Sequence, residues 1–366
     1  MDTPPFTRVV AALPTSVPFV GPDQIERESG VPFRARLGAN ENVLGPSPRA
    51  IAAIGAVAGE AWKYGDPLAY DLRAALAEHH GVPIEAIVAG QGIDGLLGNA
   101  VRLFVEPGTP VVMAQGGYPT FSFHVRASGG RLVEVPYRDD HADLEAMVAA
   151  AHAENARLVY LTNPDNPMGT RWDATALTTF RTALPADTML LIDEAYIEFA
   201  PAGTAPPFAL DDPGVLRFRT FSKAYGLAGL RVGYAVGAPS TIAAFDLVRE
   251  HFGMGRLQHA GAIAALADQE HLQAAIDFTA AGRERIASIA DSLGLDVVSS
   301  SANFVCIDLG RDGAFARAVC AELNRRGVFV RMPWIAPQDR CLRVSVGDTE
   351  AFAILERELP IALAAV

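Results

Sequence analysis

The feature that most constrains the fold of this chain is a regular alternation of helical patterns with short apolar strands between residues 48 and 236. Strands that are apolar on both faces belong to a mainly parallel sheet covered by helices on each side. The sequence therefore predicts a three-layer α/β domain around a mainly parallel seven-stranded sheet. Its strands are predicted at residues 86–89, 110–114, 131–135, 158–161, 188–192, 215–221 and 232–236, and its helices at 48–58, 68–80, 93–104, 121–128, 142–153 and 173–184.

The two ends of the chain have a different pattern. Residues 1–44 are predicted to form an extended arm with one short amphipathic turn at 6–13. We predict a large domain over residues 45–238, and a smaller α+β domain in which the arm 1–44 joins residues 239–366. Within that second part, long helical patterns precede short strands at 304–309, 328–330 and 341–346.

Composition argues against several classes of partner. The 366 residues are 50% apolar and carry a net charge of -12 with a pI near 5.1, which argues against binding nucleic acid or an anionic membrane surface. The sequence contains no apolar run near the roughly 18 residues of a membrane span, and residues 1–5 do not resemble a secretory leader. Cys306, Cys320 and Cys341 lack the paired spacing of a zinc site or a disulfide framework, so we predict no metal and a cytoplasmic location.

Residues 90–95, which follow the first predicted strand, read Gly-Gln-Gly-Ile-Asp-Gly. This pattern formally matches the glycine fingerprint of dinucleotide-binding folds, which also place an acid at the end of the next strand. That strand is followed by residues 115–117, which include no acid, so we exclude NAD. Backbone amides near Gly92 and Ile93, at the start of a helix, remain a candidate phosphate site, and an ordinary strand-to-helix turn is the alternative.

Three more residues follow predicted strands, at the edge of the sheet where α/β proteins bind their ligands. Tyr118 can lie flat against a planar ligand or belong to the core. Asn166 belongs to a turn with two Asn-Pro steps, whose rigidity would direct its amide into a hydrogen bond. Asp193 ends a buried apolar strand, where a carboxylate needs a cation or a strong donor as its partner.

Lys223 follows the last long strand, 215–221, and is one of two lysines, with Lys63, among 30 basic residues. Arginine pairs with anions at least as well as lysine does, but a guanidinium stays protonated and cannot attack a carbonyl. A primary amine kept where arginine is otherwise used therefore indicates covalent chemistry, such as Schiff-base formation. The alternative is a solvated surface lysine, against which the apolar flanks of Lys223 argue.

Pyridoxal 5'-phosphate is the cofactor that needs all of these groups at a single edge of a sheet. They are a phosphate site, a flat aromatic contact, a hydrogen-bonding asparagine, a partnered aspartate and a reactive amine. The blocks 163–169, 193–196 and 222–233 resemble those of fold-type I aminotransferases in order and spacing. The arm Asn40-Glu41-Asn42, the run 222–231 and the segment 342–347 resemble histidinol-phosphate aminotransferases in particular. The match extends from about residue 35 to the C-terminus.

The resemblance implies a role for each candidate residue. Lys223 would bind the coenzyme covalently and shuttle a proton, and Asp193 would pair with the pyridine nitrogen. Tyr196 and Asn166 would hydrogen-bond the phenolic oxygen, and Tyr118 would stack on the ring. The phosphate would be held by Gly92, Ile93, Thr220, Ser222, Arg231 and, from the neighbouring subunit of a homodimer, Tyr64.

The resemblance also implies a substrate site, made of Arg343, Arg331, Asn40 and Tyr118. A bidentate arginine suits a carboxylate or a phosphate equally, so Arg343 does not choose between them. The coenzyme residues match the family, whereas residues around the pocket depart from it, at Val43, Leu44, Gly65 and Met168.

We therefore predict a ping-pong aminotransferase that moves an amino group from histidinol phosphate, or a related amino compound, to 2-oxoglutarate. One alternative is a threonine-phosphate decarboxylase-like enzyme, and another is an aminotransferase for aromatic or specialised amino acids. A third is a non-enzymatic coenzyme-binding sensor. Sensors of this fold usually carry a DNA-binding domain, and residues 1–35 contain no basic helical module.

Overall fold

The computed structural model describes residues 4–14 and 20–366, so the parts of the predicted arm at 1–3 and 15–19 lie outside the described residues. The α-helices are α1 Arg8–Ala11, α2 Pro22–Ser29, α3 Pro48–Val57, α4 Tyr70–His80, α5 Gly92–Phe104, α6 Pro119–Ala127, α7 Leu144–Ala153, α8 Ala174–Ala183, α9 Pro239–Ala244, α10 Arg256–Ala267, α11 Gln269–Asp291, α12 Gly313–Arg325 and α13 Thr349–Ala364. The strands are β1 Ala35–Arg36, β2 Ile87–Gly90, β3 Pro110–Ala114, β4 Arg131–Val135, β5 Tyr137–Arg138, β6 His141–Ala142, β7 Leu158–Thr162, β8 Met189–Asp193, β9 Val215–Thr220, β10 Gly233–Gly237, β11 Asp296–Val298, β12 Phe304–Asp308, β13 Val328–Phe329 and β14 Cys341–Ser345.

Within the described chain, seven strands form the main sheet, in the order β2–β10–β9–β8–β7–β3–β4. Strand β10 runs antiparallel to both β2 and β9, and the other neighbouring pairs are parallel. Successive parallel strands need a crossover, and α6, α7 and α8 supply three of these connections. The predicted mainly parallel seven-stranded sheet is confirmed.

The central strands bury both faces, which explains their unbroken apolar sequences. In β7, Leu158 and Tyr160 pack into the core beneath α5 and α6, whereas Val159 and Leu161 pack into the core beneath α7 and α8. Strand β8 alternates between the same two cores. Burial on both faces favours apolar residues at every position of a strand. Asp193, the only charged residue of β8, stands at its carboxyl end.

A separate core joins the N-terminal arm to the C-terminal third of the chain. Ala35 and Leu37 pack with α11, α12, α13 and the antiparallel sheet β11–β12–β14. Strand β1 pairs in parallel with β13. The arm is therefore fixed along one side, and its residues 38–40 reach the cavity at the carboxyl edge of the main sheet.

The arm is not extended throughout its described part, because Pro22–Ser29 form the helix α2. The sequence analysis missed this helix because Ile25 is its one large apolar residue, and periodic apolar residues are the main signal of a helix. The helix depends on charge pairing instead. The guanidinium of Arg36 donates to Asp23 and Glu26, both at 2.7 Å.

The predicted domain boundary after residue 238 stays a prediction, and the packing of α10 favours a later one. This helix lies against α3 and α4, where Ala262 shares a core with Leu72. Gly261 permits the close approach, because a Cβ at that position would lie 2.9 Å from the side chain of Ile54. Among the described helices, none is long and apolar enough to cross a membrane.

Candidate active site

A cavity of about 230 Å³ opens at the carboxyl edge of the main sheet. The structure gathers around it residues that are scattered over three hundred positions of sequence. The predicted residues that line it are Asn40, Ile93, Tyr118, Asn166, Asp193, Tyr196, Thr220, Ser222, Lys223, Arg231, Arg331 and Arg343. The other lining residues are Gly38, Ala39, Asp94, Thr162 and Ala195.

Glycines bring the guanidinium of Arg231 against the first turn of α5. A Cβ at Gly92 would lie 2.5 Å from Nη2 of Arg231, and Gly92 itself has a φ of 73°, which favours glycine. A Cβ at Gly233 would lie 2.7 Å from the backbone of Gly92 and of Ile93. The bare backbone here leaves the N-terminus of α5 accessible to an anion.

Hydroxyl groups complete this anion site. Nη1 of Arg231 donates to Oγ of Ser222 at 3.1 Å, and Oγ1 of Thr220 donates to the same oxygen at 2.9 Å. Ser222 is held in turn, because its backbone N–H donates to Oγ1 of Thr220 at 3.0 Å. A helix N-terminus, a guanidinium and two hydroxyls are the groups that proteins use to bind phosphate.

Asp193 is buried and has two hydrogen-bond donors. The hydroxyl of Tyr160 donates to Oδ2 at 2.8 Å, and the backbone N–H of Ala195 donates to Oδ1 at 3.0 Å. Burial raises the pKa of Asp193 to about 6, although both hydrogen bonds and the charge of Lys223 oppose that rise. The carboxylate of Asp193 is thus oriented, and it can accept a further hydrogen bond from a donor in the cavity.

Lys223 extends its amine into the cavity, where Nζ donates to the main-chain carbonyl of Asn40 at 3.1 Å. Burial, followed by the positive charge of Arg343, lowers the pKa of Lys223 to about 8. The amine therefore loses its proton more readily than an ordinary lysine does, which suits both nucleophilic attack and proton transfer.

Two tyrosines and two asparagines line the cavity near these groups. Nδ2 of Asn40 donates to the hydroxyl of Tyr196 at 3.1 Å, and Nδ2 of Asn166 approaches the same oxygen at 3.5 Å. Burial raises the pKa of Tyr196 to about 12 and also raises the pKa of Tyr118, so both phenols stay protonated at neutral pH.

Two arginines from the small domain face the cavity. Arg343 is buried and donates from Nη1 to Oδ1 of Asn166 at 2.7 Å and from Nη2 to the carbonyl of Gly38 at 3.2 Å. Its Nε has no hydrogen-bond partner among the described residues. Nη2 of Arg331 donates to the carbonyl of Val20 at 2.7 Å, and burial together with Arg343 lowers the pKa of Arg331 to about 10. This end of the cavity is suited to an anion.

Two of the predicted site residues lie outside the wall of the cavity. Gly92 lies directly behind Arg231, as described above. Tyr64 is 77% exposed on the surface of the chain, where its ring packs on that of Phe252 at 4.7 Å between centroids. Its predicted contact with a phosphate in a neighbouring subunit stays a prediction.

Sequence reasoning missed several residues that hold the site together. Tyr160 stacks on Phe121 at 4.0 Å between ring centroids, besides donating to Asp193. A tyrosine within an otherwise aliphatic buried strand needs a partner for its hydroxyl, which was an available signal. Asn303 and Ser345 contact Asn40 from the small domain, and local sequence carries no signal for such long-range contacts.

Comparison with known proteins places this site in a family. Residues 35–356 match the family model "Aminotransferase class I and II", and the chain belongs to that family. The resemblance inferred from the sequence is confirmed at this level.

Two relatives show which members of the family the chain is similar to. The chain is 36% identical to histidinol-phosphate aminotransferase of Moorella thermoacetica, over 97% of this chain and 93% of that protein. It is 38% identical to an aromatic amino acid aminotransferase of Mycolicibacterium paratuberculosis, over 82% of this chain and 83% of that protein.

Solved structures agree with the described fold. The crystal structure of histidinol-phosphate aminotransferase from Sinorhizobium meliloti in complex with pyridoxal-5'-phosphate is 49% identical. It matches with a TM-score of 0.96 over 100% of this chain and 99% of that one. Aspartate aminotransferase from Thermus thermophilus is 22% identical with a TM-score of 0.82 over 99% of both chains, which supports the fold alone.

The anion site at Gly92, Gly233 and Arg231 leads to a first prediction. Gly233→Ala adds a Cβ within 2.7 Å of the α5 backbone and should weaken binding of inorganic phosphate, measured by calorimetric titration. Overpacking of this kind costs about 1–3 kcal/mol, and strain of that size on the phosphate-bound geometry corresponds to about fivefold or more in affinity. Gly229→Ala, in the same segment, meets nothing within 4 Å and is the matched control. Equal phosphate affinities for the two variants would contradict the assignment.

Proposed function

We propose that the protein is a pyridoxal 5'-phosphate-dependent aminotransferase that takes an amino group from histidinol phosphate and passes it to 2-oxoglutarate. The observation that carries the proposal is the cavity in which the amine of Lys223, the carboxylate of Asp193 and the anion site at Arg231 meet. The likeness to histidinol-phosphate aminotransferases of Moorella thermoacetica and Sinorhizobium meliloti supports it.

The described residues fit this cofactor. The anion site at the start of α5 suits its phosphate, and Asp193, with both oxygens already oriented, suits its pyridine N–H. The partly buried amine of Lys223 lines the same cavity. When bound, pyridoxal 5'-phosphate supplies an aldehyde for a covalent bond to an amine and a ring that accepts electrons.

Each residue then has a physical task. Lys223, with a pKa lowered to about 8, provides a free amine that can take a proton from the substrate carbon and return it. Asp193 stabilises a proton on the pyridine nitrogen. Tyr196 and Asn166 orient the phenolic oxygen by hydrogen bonds, and Tyr118 covers one face of the ring and excludes water.

Arg343 and Arg331 bind the anionic end of the substrate. Arg343 keeps a buried Nε that lacks a partner among the described residues, so an incoming anion can satisfy it. Arginines suit both a phosphate and a carboxylate, so the choice of histidinol phosphate rests on the likeness to histidinol-phosphate aminotransferases. The second candidate donor is an aromatic amino acid, because the relative from Mycolicibacterium paratuberculosis is an aromatic amino acid aminotransferase.

The proposed enzyme is a homodimer in which Tyr64 reaches the phosphate site of the partner subunit. Tyr64 packs on Phe252 and belongs to a short segment rich in exposed large apolar side chains, which fits an interface with a second copy. The exposed apolar side chains of this segment are those of Trp62, Tyr64, Leu68 and Tyr70. The enzyme acts in the cytoplasm, in agreement with the free thiols of Cys306, Cys320 and Cys341.

A panel of amino donors tests the reaction. Histidinol phosphate should remove the absorbance band of the coenzyme-loaded protein, and 2-oxoglutarate should restore it. The kcat/KM of histidinol phosphate should exceed that of aromatic amino acids by about tenfold or more, since hydrogen bonds to charged groups contribute about 1.5–3 kcal/mol. Threonine phosphate is the control donor that has a phosphate but no imidazole. A faster reaction with an aromatic amino acid would establish the second candidate. A band that no donor changes would leave a coenzyme-binding protein without transferase activity.

Co-expression of two inactive variants tests the shared site. Lys223→Ala lacks the amine and Tyr64→Ala lacks the partner's hydroxyl, so a mixed dimer regains one site with both groups. Random assembly should then restore roughly a quarter of the native activity, because half of the dimers are mixed and each has one complete site. Activity no greater than the sum of the two separate variants would show that Tyr64 acts within its own subunit or has no role.

A further inference from the structure

The partner of the Lys223 amine is a main-chain carbonyl in the arm, at the other end of the sequence. Nζ of Lys223 donates to the oxygen of Asn40 at 3.1 Å, across 183 positions of sequence. The amine shares its surroundings with the guanidinium groups of Arg343 and Arg231, which lower its pKa, and with the carboxylates of Glu41 and Asp193, which raise it. Among these groups the carbonyl of Asn40 is a neutral acceptor within hydrogen-bond distance, and it favours the charged form of the amine.

The backbone of Asn40 has an uncommon conformation. Its φ is 54°, in the left-handed region that non-glycine residues rarely adopt, and the residue is only 2% exposed. Such a conformation persists where the surrounding structure holds it, and it is typical of functional sites. It determines the direction in which the carbonyl of Asn40 points.

Both polar atoms of the Asn40 side chain are hydrogen-bonded inside the protein. Its Nδ2 donates to the hydroxyl of Tyr196 at 3.1 Å, and its Oδ1 accepts from Oγ of Ser345 at 2.8 Å. The same Oγ accepts the backbone N–H of Asn40 at 2.9 Å. Each polar atom keeps one further hydrogen-bond position, so the substrate contact predicted for Asn40 stays a prediction. The bond from the backbone N–H of Asn40 to Ser345 fixes the backbone.

Asn303 holds the carbonyl itself. Its Nδ2 donates to the oxygen of Asn40 at 3.0 Å and approaches the oxygen of Glu41 at 3.4 Å, and the residue is 2% exposed. A carbonyl oxygen has two lone pairs, so Asn303 and Lys223 can both donate to it without competing. Asn303 and Ser345 both belong to the small domain.

We propose that Asn40 is the positioning residue of the reactive lysine. Its main-chain carbonyl holds the Lys223 ammonium whenever the amine is not covalently engaged, and Ser345 and Asn303 fix that carbonyl. The catalytic consequence of this role rests on the proposed function, whereas the position of the amine does not depend on it. In physical terms, Ser345 and Asn303 determine, through the carbonyl of Asn40, the position of the free amine and how readily it loses its proton.

Competitive labelling of the coenzyme-free full chain tests the proposal without any turnover. The protein is treated with a trace of acetic anhydride over a range of pH, and the labelled peptides are quantified by mass spectrometry. Lys63 is the internal reference, since it is the other lysine of the chain and pairs with Glu60 on the surface. The midpoint for Lys223 in the native protein should lie near pH 8.

Two substitutions of Asn40 distinguish the effect of its main-chain carbonyl on the labelling midpoint of Lys223 from the effect of its side chain. Asn40→Gly and Asn40→Val both remove the amide, but glycine adopts a positive φ readily and a β-branched residue does not. Asn40→Gly should keep the midpoint of Lys223 labelling. Asn40→Val should lower it by about one pH unit, which is about fivefold more labelling of Lys223 relative to Lys63 at pH 7.

Equal shifts in the two variants would overturn the proposal, because the side chain would then be responsible. The absence of a shift in Asn40→Val would overturn it as well. If Asn40→Val does not fold, Asn303→Leu takes its place, since it removes the donor that holds the carbonyl and leaves Asn40 intact. It should lower the midpoint in the same direction, and an unchanged midpoint would contradict the role of Asn303 and of the carbonyl.

Kinetics of the loaded enzyme give a second readout. A positioning role for the amine predicts that Asn303→Leu lowers kcat and leaves the KM for the amino donor nearly unchanged. A higher KM with an unchanged kcat would contradict the positioning role and would indicate that Asn40 and its neighbours bind the substrate. Failure of every donor to react would refute the proposed function alone, because the labelling experiment decides the position of the amine independently.

Discussion

The site depends on an amine and a carboxylate that share one cavity with few neutralising partners. Burial lowers the pKa of Lys223 to about 8 and raises the pKa of Asp193 to about 6, and each charge partly opposes the shift of the other. The amine therefore keeps its proton at neutral pH but loses it far more readily than an exposed lysine does, while the carboxylate is held by Tyr160 and the backbone of Ala195. Neither group would have this reactivity on an exposed surface.

The fold provides these conditions through its two cores. The main sheet, buried on both faces, ends in Asp193 and Thr220 at one edge, so polar groups concentrate there. The small domain and the arm then bring Arg343 and Asn40 to that edge from far along the chain. The bond from Arg343 to Asn166 joins the two parts of the protein directly at the cavity.

The sequence alone predicted the parts of this arrangement that are local. Unbroken apolar strands indicated the parallel sheet, and the residues that follow the strands indicated Asp193, Asn166 and Lys223 as neighbours. The helix α2 was missed because charge pairs stabilise it rather than apolar periodicity. Asn303 could not be assigned to the site in the same way, since its role comes from contacts made only after folding. Tyr160 was missed although its hydroxyl, in a buried apolar strand, needed a partner.

The account is tested most directly by finding which lysine is joined to the coenzyme. Borohydride reduction of the loaded protein, followed by digestion and mass spectrometry, identifies that residue. The account predicts a pyridoxyl label on Lys223 and none on Lys63, which lies on the surface beside Glu60. A label on Lys63, or a loaded protein in which Lys223 stays unmodified, would contradict the central claim.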